Sequence, residues 1–180
     1  MPGAFVQFLA PAPHLLVCGA GPDVKPVIAM ARSLCWRVTV ADQRPAYAND
    51  CRLPGVSVLL VHPGALHHQV NLEDCDAAVV MSHHLPADLP YLGQLADADS
   101  PACVGLLGPK ARRQRLASEL GHKMDKLTHR LYAPVGLDLG AATSEGIALS
   151  IVGQIHAWLA RRPRVRSDLN DYESAIESRK

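Results

Sequence analysis

The stretch that most constrains this chain is Leu15-Leu16-Val17-Cys18-Gly19-Ala20-Gly21-Pro22-Asp23, taken together with Arg37-Val38-Thr39-Val40-Ala41-Asp42-Gln43-Arg44 downstream. An apolar run of strand length ends in Gly-x-Gly. A helix-compatible stretch follows, and a second apolar run closes on an acidic residue. That is the order of a first βαβ unit in a nucleotide-binding sheet. The glycines let the turn tighten and let backbone N–H groups approach a phosphate, while the helix N-terminus adds positive potential. Asp42 stands where an acidic side chain can accept from a ribose hydroxyl. The third glycine of Gly-x-Gly-x-x-Gly is replaced by Val24. That glycine serves helix–strand packing, so its loss changes the helix offset and leaves phosphate approach open. Pro22 suits the first helical turn, where its missing N–H goes unneeded, and Pro26 still lies near the helix start. The alternative is a tight strand-to-helix turn with no ligand.

The rest of the chain repeats the alternation. Residues 56–61, 76–81 and 102–108 read as further strands, and 45–50 as a loop after the second strand. Helices are expected within 87–99, from Pro109 to near Gly121, and over 144–160, where Ile147, Ile151 and Ile155 form one apolar stripe. Hydrophobic residues make up 48% of the chain but aromatics only 4%, so the core must be aliphatic. Such a core suits parallel strands covered on both faces. The expected fold is α/β: a doubly wound, mostly parallel, Rossmann-like sheet with helices on both faces. At 180 residues the chain accommodates one such domain over 1–162, followed by a charged tail over 163–180.

A net charge of +1 gives no global pull toward nucleic acid. No apolar run reaches membrane-spanning length, and the N-terminus lacks a basic region followed by a long apolar stretch. The five cysteines (18, 35, 51, 75 and 103) are scattered and never spaced as Cys-x-x-Cys. Cys18 and Cys103 lie in apolar runs and read as buried small hydrophobes. A soluble protein of the reducing cytoplasm is therefore expected.

In doubly wound sheets, ligands bind outside the carboxyl ends of the strands. Four polar or glycine-rich stretches fall there: Gly19-Ala20-Gly21, Asp42-Gln43-Arg44, Ser82-His83-His84 and the stretch from Gly105 to Lys110. Gly108-Pro109-Lys110, with Arg112 and Arg113 behind it, reads as a second anion site or as a solvated basic helix face. It lacks the Walker A spacing. The adjacent pairs His83-His84 and His67-His68 point their members in opposite directions, so no metal site is expected, while one histidine after the fourth strand could touch a ligand. Asp138 can hold the loop between Gly136 and Gly140 by accepting backbone N–H bonds. Thr143 or Ser144 can cap the last helix, with Glu145 favourably placed in its first turn. No Gly-x-Ser-x-Gly elbow and no catalytic Ser/His/Asp or Cys/His set can be proposed.

These blocks together resemble the C-terminal Rossmann-type domain of the XdhC/CoxI family, accessory proteins for xanthine dehydrogenase and related molybdenum hydroxylases. The resemblance runs over about residues 12–160. It is carried by 16–23, 38–45, Met81-Ser82-His83, 104–108 and 134–141, and continues through 143–145 and 147–151. It implies a chaperone without chemistry of its own, which binds the molybdenum cofactor (a pyranopterin) or its dinucleotide form, shields it during sulfuration and passes it to an apo molybdenum hydroxylase. A sulfurating cysteine desulfurase is a further implied partner, and an exposed helix face could support a homodimer. On this resemblance Gly19, Ala20, Gly21 and Pro22 would approach phosphate, and Asp42 or Arg44 would orient a ribose or pterin edge. Ser82, His83, Gly108 and Lys110 would line the rim; no residue is assigned to catalysis or to a metal. Two other classes stay open: a small NAD(P)-dependent oxidoreductase, against which stands the absence of a substrate domain and of Tyr-x-x-x-Lys, and a ligand-free Rossmann interaction module. The chain departs from the family at Cys35, where a glycine is usual, at Pro109, where a small polar residue is common, and at Gly146, where an acidic residue is frequent. Pro109 also removes one N–H from the proposed second anion site. Many relatives carry a separate N-terminal domain, whereas only about a dozen residues precede the first strand here, so contacts from such a domain are expected to be absent or to come from another chain.

Overall fold

The computed structural model describes residues 11–160, so the expected tail over 163–180 lies outside the described residues. The elements run β1 (His14–Cys18), α1 (Val24–Ser33), β2 (Arg37–Asp42), β3 (Ser57–Leu60), β4 (Ala77–Val80), α2 (Leu85–Asp97), β5 (Cys103–Leu106), α3 (Lys110–Leu120), α4 (Lys123–Leu127), β6 (Leu131–Tyr132) and α5 (Ser144–Leu159). The strands form one sheet in the order β3-β2-β1-β4-β5-β6, and every neighbouring pair is parallel. From β1 the chain winds outward through β2 and β3, then returns to β4 on the other side of β1. The order therefore reverses between β1 and β4, which opens a crevice at their carboxyl ends.

Strand alternation divides the core between two faces. Leu15 and Val17 of β1, Val38 and Val40 of β2, and Ala77 and Val79 of β4 pack with α1 and α5. Leu16 and Cys18, Ala78 and Val80, and Val104 and Leu106 face the opposite side, against α2, α3 and α4. Both faces are covered, so almost every strand position is apolar, and Cys18 and Cys103 are buried as expected. In α5 the stripe of isoleucines packs on the sheet: Ile151 and Ile155 are fully buried, while Ile147 packs at the core margin. Burying an isoleucine contributes roughly 1.5–3 kcal/mol.

The helix ends explain several sequence signals. Thr143 caps α5, its Oγ1 accepting from the Gly146 N–H at 3.1 Å. Pro22 does not enter the first turn of α1, because Asp23 is the N-cap and the helix begins at Val24. Pro26 falls within that first turn, where its missing N–H costs nothing. Cys35 follows α1 at φ +60°, a left-handed position that favours glycine. The carboxyl end of α2 is tied by Arg130, whose guanidinium donates to the carbonyls of Leu95, Ala98, Asp99 and Pro101. Four elements go beyond what the sequence pattern predicts: the two-residue β6, the short α4, and 3₁₀ turns at Pro63–His68 and Leu72–Asp74. They are too short to show a hydrophobic period. Among the described residues no helix is long and apolar enough to cross a membrane.

Candidate functional site

The glycine-rich turn after β1 divides its work between its two glycines. Gly19 has φ +118°, and a Cβ there would lie 2.6 Å from the backbone N and Cα of Ser82. The residue is glycine because the loop after β4 presses against it. At Gly21 a Cβ would meet only the His83 ring, at 3.5 Å. The backbone donors also differ. Gly19 N–H bonds the Ala41 carbonyl at 2.8 Å, and Ala20 N–H bonds Asp42 Oδ2 at 2.7 Å. Gly21 N–H has no protein partner among the described residues, so it is the donor this turn can offer.

Asp42 ends β2 and is buried, only 3% exposed. Its Oδ1 accepts from Arg44 N–H and Arg44 Nε, both at 2.9 Å, and its Oδ2 accepts from Ala20 N–H at 2.7 Å and Arg44 Nη2 at 2.6 Å. Burial by itself pushes this carboxyl up. Hydrogen bonds from the Arg44 side chain and from the Ala20 and Arg44 amides, with the charge of Arg44, outweigh it and hold the group below its ordinary value. The same pairing raises Arg44. The Arg44 guanidinium also lies 4.0 Å from the centre of the Tyr47 ring, over which Arg52 sits at 4.7 Å.

The loop after β4 carries Ser82 and His83. Ser82 is buried; its hydroxyl donates to Asp88 Oδ1 and accepts from the His84 N–H at 3.1 Å. Asp88, in the first turn of α2, is fully buried, and its Oδ2 accepts from Arg112 Nε at 2.8 Å and from Arg112 Nη2. His83 adopts a left-handed backbone, φ +58°, and its Nε2 lies 3.2 Å from Asp23 Oδ2. Asp23 Oδ1 accepts in turn from Ser144 Oγ at 2.5 Å, so the start of α5, the start of α1 and the β4 loop meet at one carboxylate.

A cleft of about 270 Å³ opens beyond the carboxyl ends of β2 and β4, the two neighbours of β1, lined by Asp42, Gln43, Arg44, Ser82, His83, His84, Ala87 and Tyr91. His83, which lines this cleft, also lies against Gly21. The fold thus brings Asp42, Arg44, Ser82 and His83 together, with the glycine turn beside them. Gly19, Ala20, Gly21, Pro22, Gly108 and Lys110 are not among the lining residues. Lys110 instead lines a separate cavity of about 370 Å³ between α3 and α4, with Arg113 and Met124. Arg112 does not join the basic face expected of it. It turns inward to Asp88, and its side chain fills the space a Cβ on Gly108 would need. Among the described residues Asp138 makes no hydrogen bond that would hold its loop. Gly136 N–H bonds Gln154 Oε1 at 2.9 Å, Leu137 N–H bonds the Ser150 carbonyl, and the Ser150 hydroxyl bonds the Leu137 carbonyl.

Two participants are not apparent from the motifs. Tyr91 forms part of the cleft wall; its hydroxyl reaches the Ala41 carbonyl at 3.4 Å, and burial pushes its phenol up. Asp88 had a readable signal. With Tyr91, Leu92 and Leu95 it occupies one face of a helix, and a carboxylate inside an apolar stripe requires a buried cation.

The family model for the XdhC Rossmann domain matches residues 15–155. The chain is 34% identical over 152 residues to a protein of Bacillus subtilis (strain 168) described as a probable subunit of xanthine dehydrogenase, an alignment covering 84% of this chain and 44% of that protein. It is also similar to the crystal structure of a xanthine dehydrogenase from Bacillus halodurans, with a TM-score of 0.75 and 28% identity, over 89% of this chain and 46% of that one. The chain spans less than half the length of either relative.

Proposed function

Because the chain belongs to the XdhC family, whose Rossmann domain it carries, we propose that it serves a xanthine dehydrogenase-type molybdenum hydroxylase as an accessory protein. In this reading it binds the pyranopterin molybdenum cofactor, or its dinucleotide form, in the cleft at the ends of β2 and β4. It then delivers the cofactor to the apo-hydroxylase. The observation that carries the reading is the donor set of the cleft. Its one lining carboxylate, Asp42, is already satisfied, and the other ionisable groups that line it are Arg44, His83, His84 and the Tyr91 phenol. A flat, hydrogen-bonding heterocycle that carries phosphate suits such a lining, with the Tyr91 and Ala87 side chains supplying apolar wall.

The bound group would supply redox chemistry to the hydroxylase; this chain would hold and orient it. Arg44 offers a fixed guanidinium, Gly21 an amide donor, and His83 an imidazole anchored on Asp23. The test is anaerobic calorimetry of the protein with molybdenum cofactor, with NADH and NADPH titrated in parallel. Saturable cofactor binding without nicotinamide binding is expected. Tight NAD(P)H binding with no response to the cofactor would overturn the proposal in favour of an oxidoreductase.

A further inference from the structure

In a dinucleotide-binding sheet, the acidic residue ending the second strand reads a ribose diol, and a nearby arginine accommodates a phosphate on that ribose. Asp42 and Arg44 supply both residue types, and the structure separates their roles. Each Asp42 oxygen already accepts two hydrogen bonds, and the carboxylate is buried beneath the guanidinium that pairs with it. A diol arriving in the cleft would have to displace Ala20 N–H or Arg44 to reach it. Displacing Ala20 would undo the glycine turn, and displacing the Arg44 guanidinium would cost the buried carboxylate two of its four hydrogen bonds.

Arg44 has the opposite character. Its side chain is 39% exposed and lines the cleft. Of five guanidinium N–H donors, two are spent on Asp42, and the rest have no partner among the described residues. The fork to Asp42 on one edge and the Tyr47 ring against its face leave it little freedom, so an anion would meet a prearranged planar donor. Arg52, against the same ring, adds a second positive charge. Lysine could not replace Arg44 here, because a point charge neither forks nor stacks in this way.

We propose that the end of β2 is a phosphate-reading edge: Arg44, braced by Asp42 and Tyr47 and supported by Arg52, takes a phosphomonoester of the bound ligand, while Asp42 is a positioning residue and accepts nothing from a ribose. This inference deepens the cofactor reading and rests on it for the identity of the remaining ligand. It selects the pyranopterin with a terminal phosphate over the dinucleotide form, in which that phosphate is esterified on both sides.

A probe pair isolates the edge from the rest of the ligand: adenosine 5′-monophosphate, which carries a terminal phosphomonoester, and unphosphorylated adenosine, titrated calorimetrically into the full chain. The monophosphate is expected to bind roughly tenfold or more tightly than adenosine, as one charged hydrogen-bond set is worth. That preference should shrink as salt rises. It should vanish in Arg44→Ala and weaken in Arg52→Ala. Arg44→Lys, which keeps the charge and guards against misfolding of the alanine variant, should retain only part of it. Equal binding of the two probes, no binding of either at millimolar concentration, or a preference that survives in a folded Arg44→Ala variant would each overturn the proposal. Cofactor binding without a monophosphate preference would remove the Arg44 assignment and leave the accessory function standing. An Arg44-dependent preference with no response to molybdenum cofactor would do the reverse.

Discussion

Two aspartate–arginine pairs flank the loop after β4, and they are built almost alike. In each, a buried carboxylate takes a fork from an arginine nearby in the fold: Asp42 from Arg44, Asp88 from Arg112. They differ in what covers the arginine. Arg112 is 19% exposed, with its side chain laid over Gly108, so the pair is closed and its remaining oxygen holds Ser82 in place. Arg44 is 39% exposed and lines the cleft. The same pairing chemistry fixes the scaffold where it is sealed and presents a ligand-binding group where one side stays open.

Substitutions can break that comparison. Asp88→Ala should have the largest effect, because it leaves Arg112 and Ser82 without their shared partner. A loss of about 3–5 kcal/mol in urea denaturation is expected, and a loss below about 1 kcal/mol would show that the closed pair is not structural. Gly19→Ala comes next, forcing a side chain into a left-handed position against Ser82, at about 2–4 kcal/mol by the same measurement. Arg44→Ala should lower stability by only about 1–2 kcal/mol, since two backbone amides still serve Asp42, while weakening cofactor binding. Arg112→Ala should show the converse, a large stability loss with little direct effect on the ligand's charge recognition once the folded fraction is accounted for. If both arginines affect binding and stability in equal proportion, the distinction fails.

A smaller effect lies in acid. Asp42 has a lowered folded-state value, so the unfolded chain binds its proton more readily. Its contribution is complete above the unfolded value, about 3.9, and is lost as pH falls through the lower folded value. Acid denaturation of Asp42→Asn should therefore be flatter in that window than that of the parent protein. The smallest effect is expected from Gly21→Ala, whose Cβ meets the His83 ring at ordinary contact distance. It should change stability by less than about 1 kcal/mol. A larger loss would mean that the turn is as constrained at Gly21 as at Gly19.

Much of this architecture is readable along the chain. Apolar runs of strand length alternating with amphipathic stretches dictate a doubly wound sheet, because a strand buried on both faces has no polar position to spare. Gly19, Thr143 and the stripe through Ile151 and Ile155 mark ends and faces through local conformation and period. The positions of Asp42, Arg44, Ser82 and His83 at the strand ends follow from that order. What the tertiary structure alone decided is which polar groups are spent and which remain available. Asp42 reads as a free acceptor until Ala20, 22 residues away, and Arg44 close on it. Arg112 reads as solvated until the winding of α2 against α3 brings Asp88 to it across 24 residues. Local patterns encode period and caps because neighbours in sequence share a backbone geometry. Pairings between distant polar side chains are set by the sheet order that closes the loops between them, and hydrogen-bond capacity is assigned only once those partners meet.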